Sequence, residues 1–332
     1  MKTSRIVGVG HYVPKNIVTN DDLAKIMDTN DEWIVERTGI RERRWFTPGV
    51  DTVANMSAKA SKMAIERAGI AIKDIDFIVF ATSTPDYFAP GNGVLLQREL
   101  GLQGIGALDI RNACSGFLYG LSVADQFIKT GMYKNILLVG AEIQSSALDK
   151  STAGRSNAVI FADGAGAAVI QASENPAFGI LSTHLHADGD YAEELYLKDP
   201  GSSREIRLSH DIIDNPSFRM QMNGNVVFKH AVVRFQEVIQ EALTANGKTK
   251  DDLDLLVPHQ ANLRISQYIQ QKFQLPEKKV FNNIMRYGNT TAATIPLALS
   301  EAWEQGKIKE GNLLCLAAFG SGFSWASALL TW

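Results

Sequence analysis

The sequence predicts an α/β protein made from two copies of one unit, and three observations carry that prediction. Short apolar runs, partly β-branched and bounded by turn residues, alternate with longer stretches of helical period. The segment Asp74-Ile75-Asp76-Phe77-Ile78-Val79 recurs as Asp252-Leu253-Asp254-Leu255-Leu256-Val257 at the same point of the pattern. Further on, Thr130-Gly131-Met132-Tyr133-Lys134-Asn135-Ile136-Leu137-Leu138 is echoed by Gln305-Gly306-Lys307-Ile308-Lys309-Glu310-Gly311-Asn312-Leu313-Leu314. The repeat divides the chain into residues 1–175 and 176–332, with a seam near residue 175.

Taken in order, Met1 to Val9 reads as a first strand after two basic residues. Phe77 to Phe80, Ala107 to Ile110, Ile136 to Val139, Ala167 to Ile170, Leu255 to Val257 and Leu313 to Leu316 read as buried strands. Ser57 to Ala68, Phe117 to Thr130, Val226 to Ala245 and Ala292 to Gln305 carry apolar residues near the helical period, each with Gly close after it. Glu174 to Phe218 departs from this rhythm: rich in charge, Gly, Ser and Pro, it reads as an irregular surface connection. Trp33 to Asp51 reads similarly, with Arg37, Arg41, Arg43 and Arg44 as a solvated face.

Composition narrows the function classes. The 332 residues, 45% apolar and 21% charged, suit a globular chain of about two domains. With 33 Lys plus Arg against 36 Asp plus Glu, no global basic field favours nucleic acid. No signal-peptide pattern opens the sequence and no apolar run reaches membrane-spanning length, so the expected address is cytoplasmic, with no membrane partner. Two cysteines, Cys114 and Cys315, are too few for a disulfide scaffold.

Cys114 lies in Arg111-Asn112-Ala113-Cys114-Ser115-Gly116-Phe117, after a strand and before a helix. Unpaired amides and the positive helix end lower a thiol pKa there, and the small neighbours let a substrate approach the backbone. A buried apolar cysteine is the alternative, and Cys315 within its apolar run fits that description. Ser115 lacks the flanking glycines of a hydrolase elbow, since Ala113 and Phe117 stand there. His259, in Val257-Pro258-His259-Gln260-Ala261-Asn262, stands at a strand's carboxyl end, where α/β sheets place ligands, or is a structural histidine. Asn289, in Tyr287-Gly288-Asn289-Thr290-Thr291, falls near the place of Cys114 on the duplicated map, or serves as a helix cap. Gly8-Val9-Gly10 lacks a third glycine and a following helix, which argues against a dinucleotide site. His184, His186 and Asp188 make a thin metal site, and none is expected.

Asn112 to Phe117, Val257 to Asn262 and Gly288-Asn289-Thr290 together resemble the thiolase-like condensing enzymes, specifically the β-ketoacyl-acyl carrier protein synthase III family. Asp31 to Arg43, Phe161 to Gly166, Ser182 to Gly189 and Phe319 to Phe323 extend the likeness over essentially the whole chain. The resemblance implies a duplicated five-layered αβαβα fold, a homodimer, and a catalytic Cys114, His259 and Asn289 where the halves meet. It implies that Thr29, Trp33, Arg37, Arg155, Gly224, Phe228 and Asn262 contact coenzyme A, and that Lys229 and Arg264 receive an acyl carrier protein. The backbone amides of Cys114 and Ser321 are its oxyanion hole, with Ser321 where Gly is frequent in the family. Phe88 and Ala89 match the acyl-pocket wall, with Ala89 about where a bulky aromatic closes acetyl-restricted pockets. A pocket for longer acyl chains is therefore expected.

The implied chemistry needs no resident cofactor. Acyl-coenzyme A acylates Cys114, malonyl-acyl carrier protein loses carbon dioxide, and the resulting enolate attacks the Cys114 thioester. That reaction initiates fatty acid synthesis. Two other readings use the same residues: a specialised synthase acting on longer acyl chains, and a papain-like cysteine hydrolase. The second lacks its local signature, since Ser115 rather than an aromatic residue follows Cys114.

Overall fold

The computed structural model describes residues 3–175 and 177–332. Met1 and Lys2, the start of the expected first strand, and Pro176, at the expected seam, lie outside the described residues. Thr3–Tyr12 forms β1, Val53–Arg67 α1, Phe77–Ala81 β2, Asn92–Leu100 α2 and Gly106–Ile110 β3. Gly116–Lys129 forms α3, Asn135–Ile143 β4 and Asp163–Ser173 β5. The pattern then restarts with Gly179–Ala187 as β6, Gly224–Ala245 as α4, Leu255–Pro258 as β7 and Leu263–Phe273 as α5. Thr294–Glu304 as α6, Leu313–Gly320 as β8 and Ser324–Thr331 as β9 complete it.

Two large sheets result among the described residues, ordered β1-β5-β4-β2-β3 and β6-β9-β8-β7, beside two small two-stranded ones. In the first, β2 runs parallel to β3 and β4, and β5 lies antiparallel between β4 and β1. In the second, β7 runs parallel to β8, and β9 lies antiparallel between β8 and β6. Read from β1 and from β6, the two orders coincide until the last place. There the second sheet keeps only one parallel bridge, Leu256 to Val280, where the first has β3.

Side-chain alternation on the strands explains the layers. Phe77 and Val79 of β2 face inward with Ile136 and Leu138 of β4, and pack on Phe117, Leu118 and Leu121 of α3. Leu255, Val257, Leu314 and Leu316 close the same core from the second sheet, with Ile295 and Leu299 of α6 between. Ile78 and Phe80 face outward onto α1 and α2, and Leu256 and Cys315 onto α4 and α5. The order is thus helices, sheet, α3 with α6, sheet, helices: the duplicated five-layered αβαβα fold. The middle layer belongs to both halves, so they share one core.

The halves interlock at two matching turns. A 3-10 turn over Ala113–Ser115 leads into α3, and another over Thr291–Ala293 leads into α6. Each contains a residue in the left-handed region, Ala113 at φ 43° and Thr291 at φ 52°, where a β-carbon is strained. Each rests on a glycine of the opposite half. A β-carbon on Gly140 of β4 would lie 2.3 Å from the Ala292 carbonyl oxygen, and one on Gly320 of β8 would lie 2.5 Å from Cys114 Cβ. The same arithmetic accounts for Gly8 and Gly10: their bare backbone lets β1 lie against Ala64 and Ala60 of α1.

Two expectations are corrected. Glu174 to Phe218 is not wholly irregular, because β6 within it pairs with β9 from Gly179 to Ala187. At the end of a sheet, with Thr183, His184 and His186 in its length, β6 lacks the apolar run that marks the other strands. Trp33 to Asp51 contains most of a helix over Asp31–Thr38 and a strand over Glu42–Arg44. Arg43 is no part of a solvated face: fully buried, it donates to Asn20 Oδ1 at 2.7 Å and to the Val159 carbonyl at 2.8 Å.

Candidate active site

Cys114 sits on the first interlocking turn, buried, at the amino end of α3. Ser115 Oγ lies 2.6 Å from Ser324 Oγ, which donates to the Ser321 carbonyl at 2.9 Å. These bonds fasten the turn to the β8–β9 connection and bring the Ser321 amide to the thiol. The backbone N–H groups of Ser321 and of Cys114 itself stabilise the thiolate. They do not prevail. Burial, followed by the negative field of Glu142, pushes the Cys114 thiol up to about 12, against the lowering expected from its helix position. The helix end and the two amides are real, but the thiol is buried and its anion would lose solvation.

Glu142, on β4, is the nearby acid that sequence reasoning passed over. Wholly buried, it accepts from the Ser83 amide at 3.1 Å and from Thr84 Oγ1 at 2.5 Å, and burial holds its carboxyl up to about 7. A carboxylate inside the apolar run Ile136 to Ile143 was its only signal.

His259 follows β7, and its amide continues the parallel ladder by donating to the Ala317 carbonyl at 2.8 Å. The ring is buried and its pKa is lowered to about 3 by desolvation, so it is neutral at physiological pH. Nδ1 lies 2.6 Å from Thr294 Oγ1, while Nε2 is buried with no protein partner.

Asn289 is held from the first half: its amide donates to the Ile160 carbonyl at 2.9 Å, and its carbonyl accepts from Ala162 at 2.9 Å. Its side-chain Oδ1 accepts from the Thr291 amide at 2.9 Å. That bond fixes which end of the amide is oxygen and leaves the NH2 group to donate elsewhere. One end of the side chain is thus tied into the turn, whose N-cap is Thr290 rather than the expected Asn289.

Two cavities meet at Cys114. A narrow one of about 120 Å³ is lined by Cys114, His259, Asn289 and Gly320 at its inner end, and includes Gly224, Phe228 and Asn262. A wider one of about 610 Å³ runs from Cys114 past Thr84, Phe88, Leu195, Leu197 and Met220. Ser321 lines the wide cavity; Ala89, although next to Phe88, is exposed and outside its lining.

Trp33 lies between two guanidinium groups, Arg37 at 4.5 Å and Arg155 at 4.8 Å from the ring centroid. Asn262 donates to the Arg37 carbonyl at 3.0 Å and so links this aromatic platform to the narrow cavity. Thr29 contributes a buried hydroxyl with no protein partner. Lys229 and Arg264 are exposed, with the Arg264 guanidinium 5.8 Å from the Phe228 ring. Glu241 bridges His184 at 3.3 Å and His186 at 2.7 Å, and among the described residues no group of three or more His, Cys, Asp or Glu could hold a metal ion.

A duplicated five-layered fold with a buried thiol where its halves interlock defines a thiolase-like condensing enzyme. The family models for 3-oxoacyl-[acyl-carrier-protein] synthase III match residues 108–189 and, for its C-terminal region, residues 243–332. A β-ketoacyl-[acyl-carrier-protein] synthase III of Xanthomonas euvesicatoria is 47% identical over 98% of both chains, and that of Methylococcus capsulatus 45% over 98% of both. The crystal structure of the Aquifex aeolicus synthase III has a TM-score of 0.91 and 42% identity, covering 99% of this chain and 100% of that one. The priming β-ketosynthase of the R1128 polyketide pathway has a TM-score of 0.90 and 35% identity, over 99% and 96% of the two chains. The chain belongs to the β-ketoacyl-[acyl-carrier-protein] synthase III family.

Proposed function

We propose that this condensing acyltransferase takes an acyl group from acyl-coenzyme A onto Cys114 and joins it to malonyl-acyl carrier protein, initiating fatty acid synthesis. The observation that carries the reading is the convergence on one narrow cavity of Cys114, the orphaned Nε2 of neutral His259 and the donor end of Asn289. In the first half-reaction Sγ attacks the thioester carbonyl, and the Cys114 and Ser321 amides receive the oxyanion. Coenzyme A departs as a thiol, carrying a proton that balances the one lost from Sγ, so no net charge is left at the buried sulfur.

In the second half-reaction His259 and Asn289 donate to the malonyl carbonyl oxygen. Carbon dioxide leaves, the enolate attacks the Cys114 thioester, and the freed sulfur regains a proton. Trp33, Arg37 and Arg155 suit the adenine and phosphates of coenzyme A, and Thr29, Gly224, Phe228 and Asn262 the arm reaching Cys114. Lys229 and Arg264, exposed beside that mouth, suit an acidic carrier protein. The reaction calls for no resident cofactor. We also propose a homodimer in the cytosol; β3 ends the first sheet with Leu108 exposed, and both cysteines are free thiols.

The apolar run Phe88, Leu195, Leu197 and Met220 along the wide cavity supports acyl groups longer than acetyl. The test is intact mass of the protein after exposure to an equimolar set of acyl-coenzyme A thioesters, with Cys114→Ser as control. A short-chain adduct lost in the control supports the reading, and a long-chain adduct favours a specialised synthase. No adduct would refute the nucleophile. His259→Ala should acylate normally yet lose decarboxylation about 100-fold or more; equal loss in both half-reactions would sink its assignment.

A further inference from the structure

We propose that the wide cavity holds a subsite for a hydroxyl group near the thioester end of the acyl chain, formed by Gln144, Thr291 and Ser83. The inference deepens the function proposed above and rests on it, since it names the class of acyl group that Cys114 takes: a hydroxyacyl group rather than a plain hydrocarbon chain.

All three side chains line the wide cavity, as Cys114 does. Each has a buried polar atom with no protein partner: Oε1 of Gln144, Oγ1 of Thr291 and Oγ of Ser83. Gln144 is 2% exposed and Thr291 3%, so neither reaches bulk solvent freely. One carboxylate gathers the three. Glu142 accepts from the Ser83 amide at 3.1 Å, from Gln144 Nε2 at 3.2 Å and from the amide of Ala292, which follows Thr291. The patch also flanks the Cys114 turn. A β-carbon on Gly116, just past the thiol, would lie 3.7 Å from Ala292 Cβ, next to Thr291, and 3.2 Å from Ala81 Cβ, shortly before Ser83.

Hydrogen-bond roles select the ligand. Glu142 also accepts from Thr84 Oγ1 at 2.5 Å. A carboxylate so surrounded by donors takes only the NH2 end of Gln144, so Oε1 is the end left over, and it can only accept. The Thr291 and Ser83 hydroxyls can donate or accept. A group that completes the set must therefore both give and receive a hydrogen bond. A ketone oxygen cannot supply Gln144, and an ammonium would bring a charge into a buried wall. A hydroxyl does both and stays neutral. A plain hydrocarbon chain would cover these atoms and bond none of them, and a site built to hydrogen-bond a substrate hydroxyl discriminates strongly against the analogue that lacks it. Phe88, Leu195, Leu197 and Met220 on the same cavity suit the rest of the chain. The hydroxyl is a spectator: thioester exchange moves the acyl carbon from the coenzyme A sulfur to Sγ and leaves it intact.

The test is competitive acylation of the full-length protein, read by intact mass. Butyryl-coenzyme A competes at equal concentration with β-hydroxybutyryl-coenzyme A and, separately, with the α-hydroxy isomer, each as both enantiomers. At least one hydroxyacyl thioester should acylate Cys114 at least about tenfold faster than butyryl. Gln144→Leu, similar in size and apolar, should bring that ratio to about one or below, and Ser83→Ala should lower it about threefold. Because both thioesters compete in one sample, the ratio does not respond to a general loss of activity. A wild-type protein that takes butyryl as readily as every hydroxyacyl isomer overturns the proposal even if no variant folds. So does a folded Gln144→Leu variant that keeps the wild-type ratio. Acylation by butyryl in either case leaves the proposed function intact, whereas a protein that no acyl thioester modifies would refute both.

Discussion

Gly320→Ala tests whether the opposite half places the Cys114 thiol. A β-carbon on Gly320 would lie 2.5 Å from Cys114 Cβ and 2.8 Å from its Sγ, while carbon atoms in contact sit about 3.5 to 4.0 Å apart. At least about 1 Å must therefore be found. Gly320 cannot retreat freely, since it pairs with Ser324 at the end of β8, and Ser324 also holds Ser115. The Cys114 turn must yield instead. Overpacking of this kind costs about 1 to 3 kcal/mol, a fall of several degrees in melting temperature. Displacing the thiol by about 1 Å from its two amides should slow acylation by about 100-fold. The assay is single-turnover acylation followed by intact mass, alongside calorimetry. Gly140→Ala is the control, because its β-carbon would meet the Ala292 carbonyl and not the thiol. Acylation of Gly320→Ala within about threefold of wild type would refute the reasoning. An equal acylation defect in both variants would reduce it to a general effect of destabilisation.

Trp33→Ala removes a ring that two guanidinium groups flank, and should raise KM for acyl-coenzyme A about tenfold with kcat nearly unchanged. A fall in kcat alone, by steady-state kinetics, would count against a binding role. The buried acids predict a pH dependence of stability. Glu142 is raised to about 7 and Asp163 to about 6 in the folded chain, both above their unfolded values. The folded state therefore binds the extra protons, so their contribution is fully present below about pH 4 and is lost as pH rises through 6 and 7. The two acids should accordingly push melting temperature down as pH rises through 6 and 7, against the opposite slope that His259, lowered to about 3, contributes below its unfolded value of about 6.5, and Glu142→Gln should remove the Glu142 share of that fall. A slope unchanged by the substitution would show that Glu142 does not titrate there.

Much of the fold is legible because each piece carries its own pattern. Strands such as Phe77–Ala81 and Leu313–Gly320 are buried on both faces, so they read as unbroken apolar runs. The repeat is legible because both copies begin from the same Asp-x-Asp-apolar phrase. β6 is not, since His184, His186 and Thr183 give it the look of a loop, and only pairing with β9 makes it a strand. Arg43 illustrates the opposite error: four arginines in a short stretch suggest a wet face, yet backbone carbonyls wait for one of them in the interior.

The site divides along the same line. Sequence alone marks Cys114, His259 and Asn289, because each stands at a strand end or a helix start, and motif resemblance supplies their roles. It does not mark Gly320 as the residue that makes room for the thiol, Thr294 as the partner of Nδ1, or Glu142 as the acid whose field reaches the Cys114 thiol. Those are contacts between residues far apart in the chain, created when two similar halves interlock. The thiol pKa shows most plainly what tertiary structure decides. A helix start and two amides favour the thiolate locally, but desolvation depends on what the rest of the chain stacks around the sulfur, and here it outweighs them.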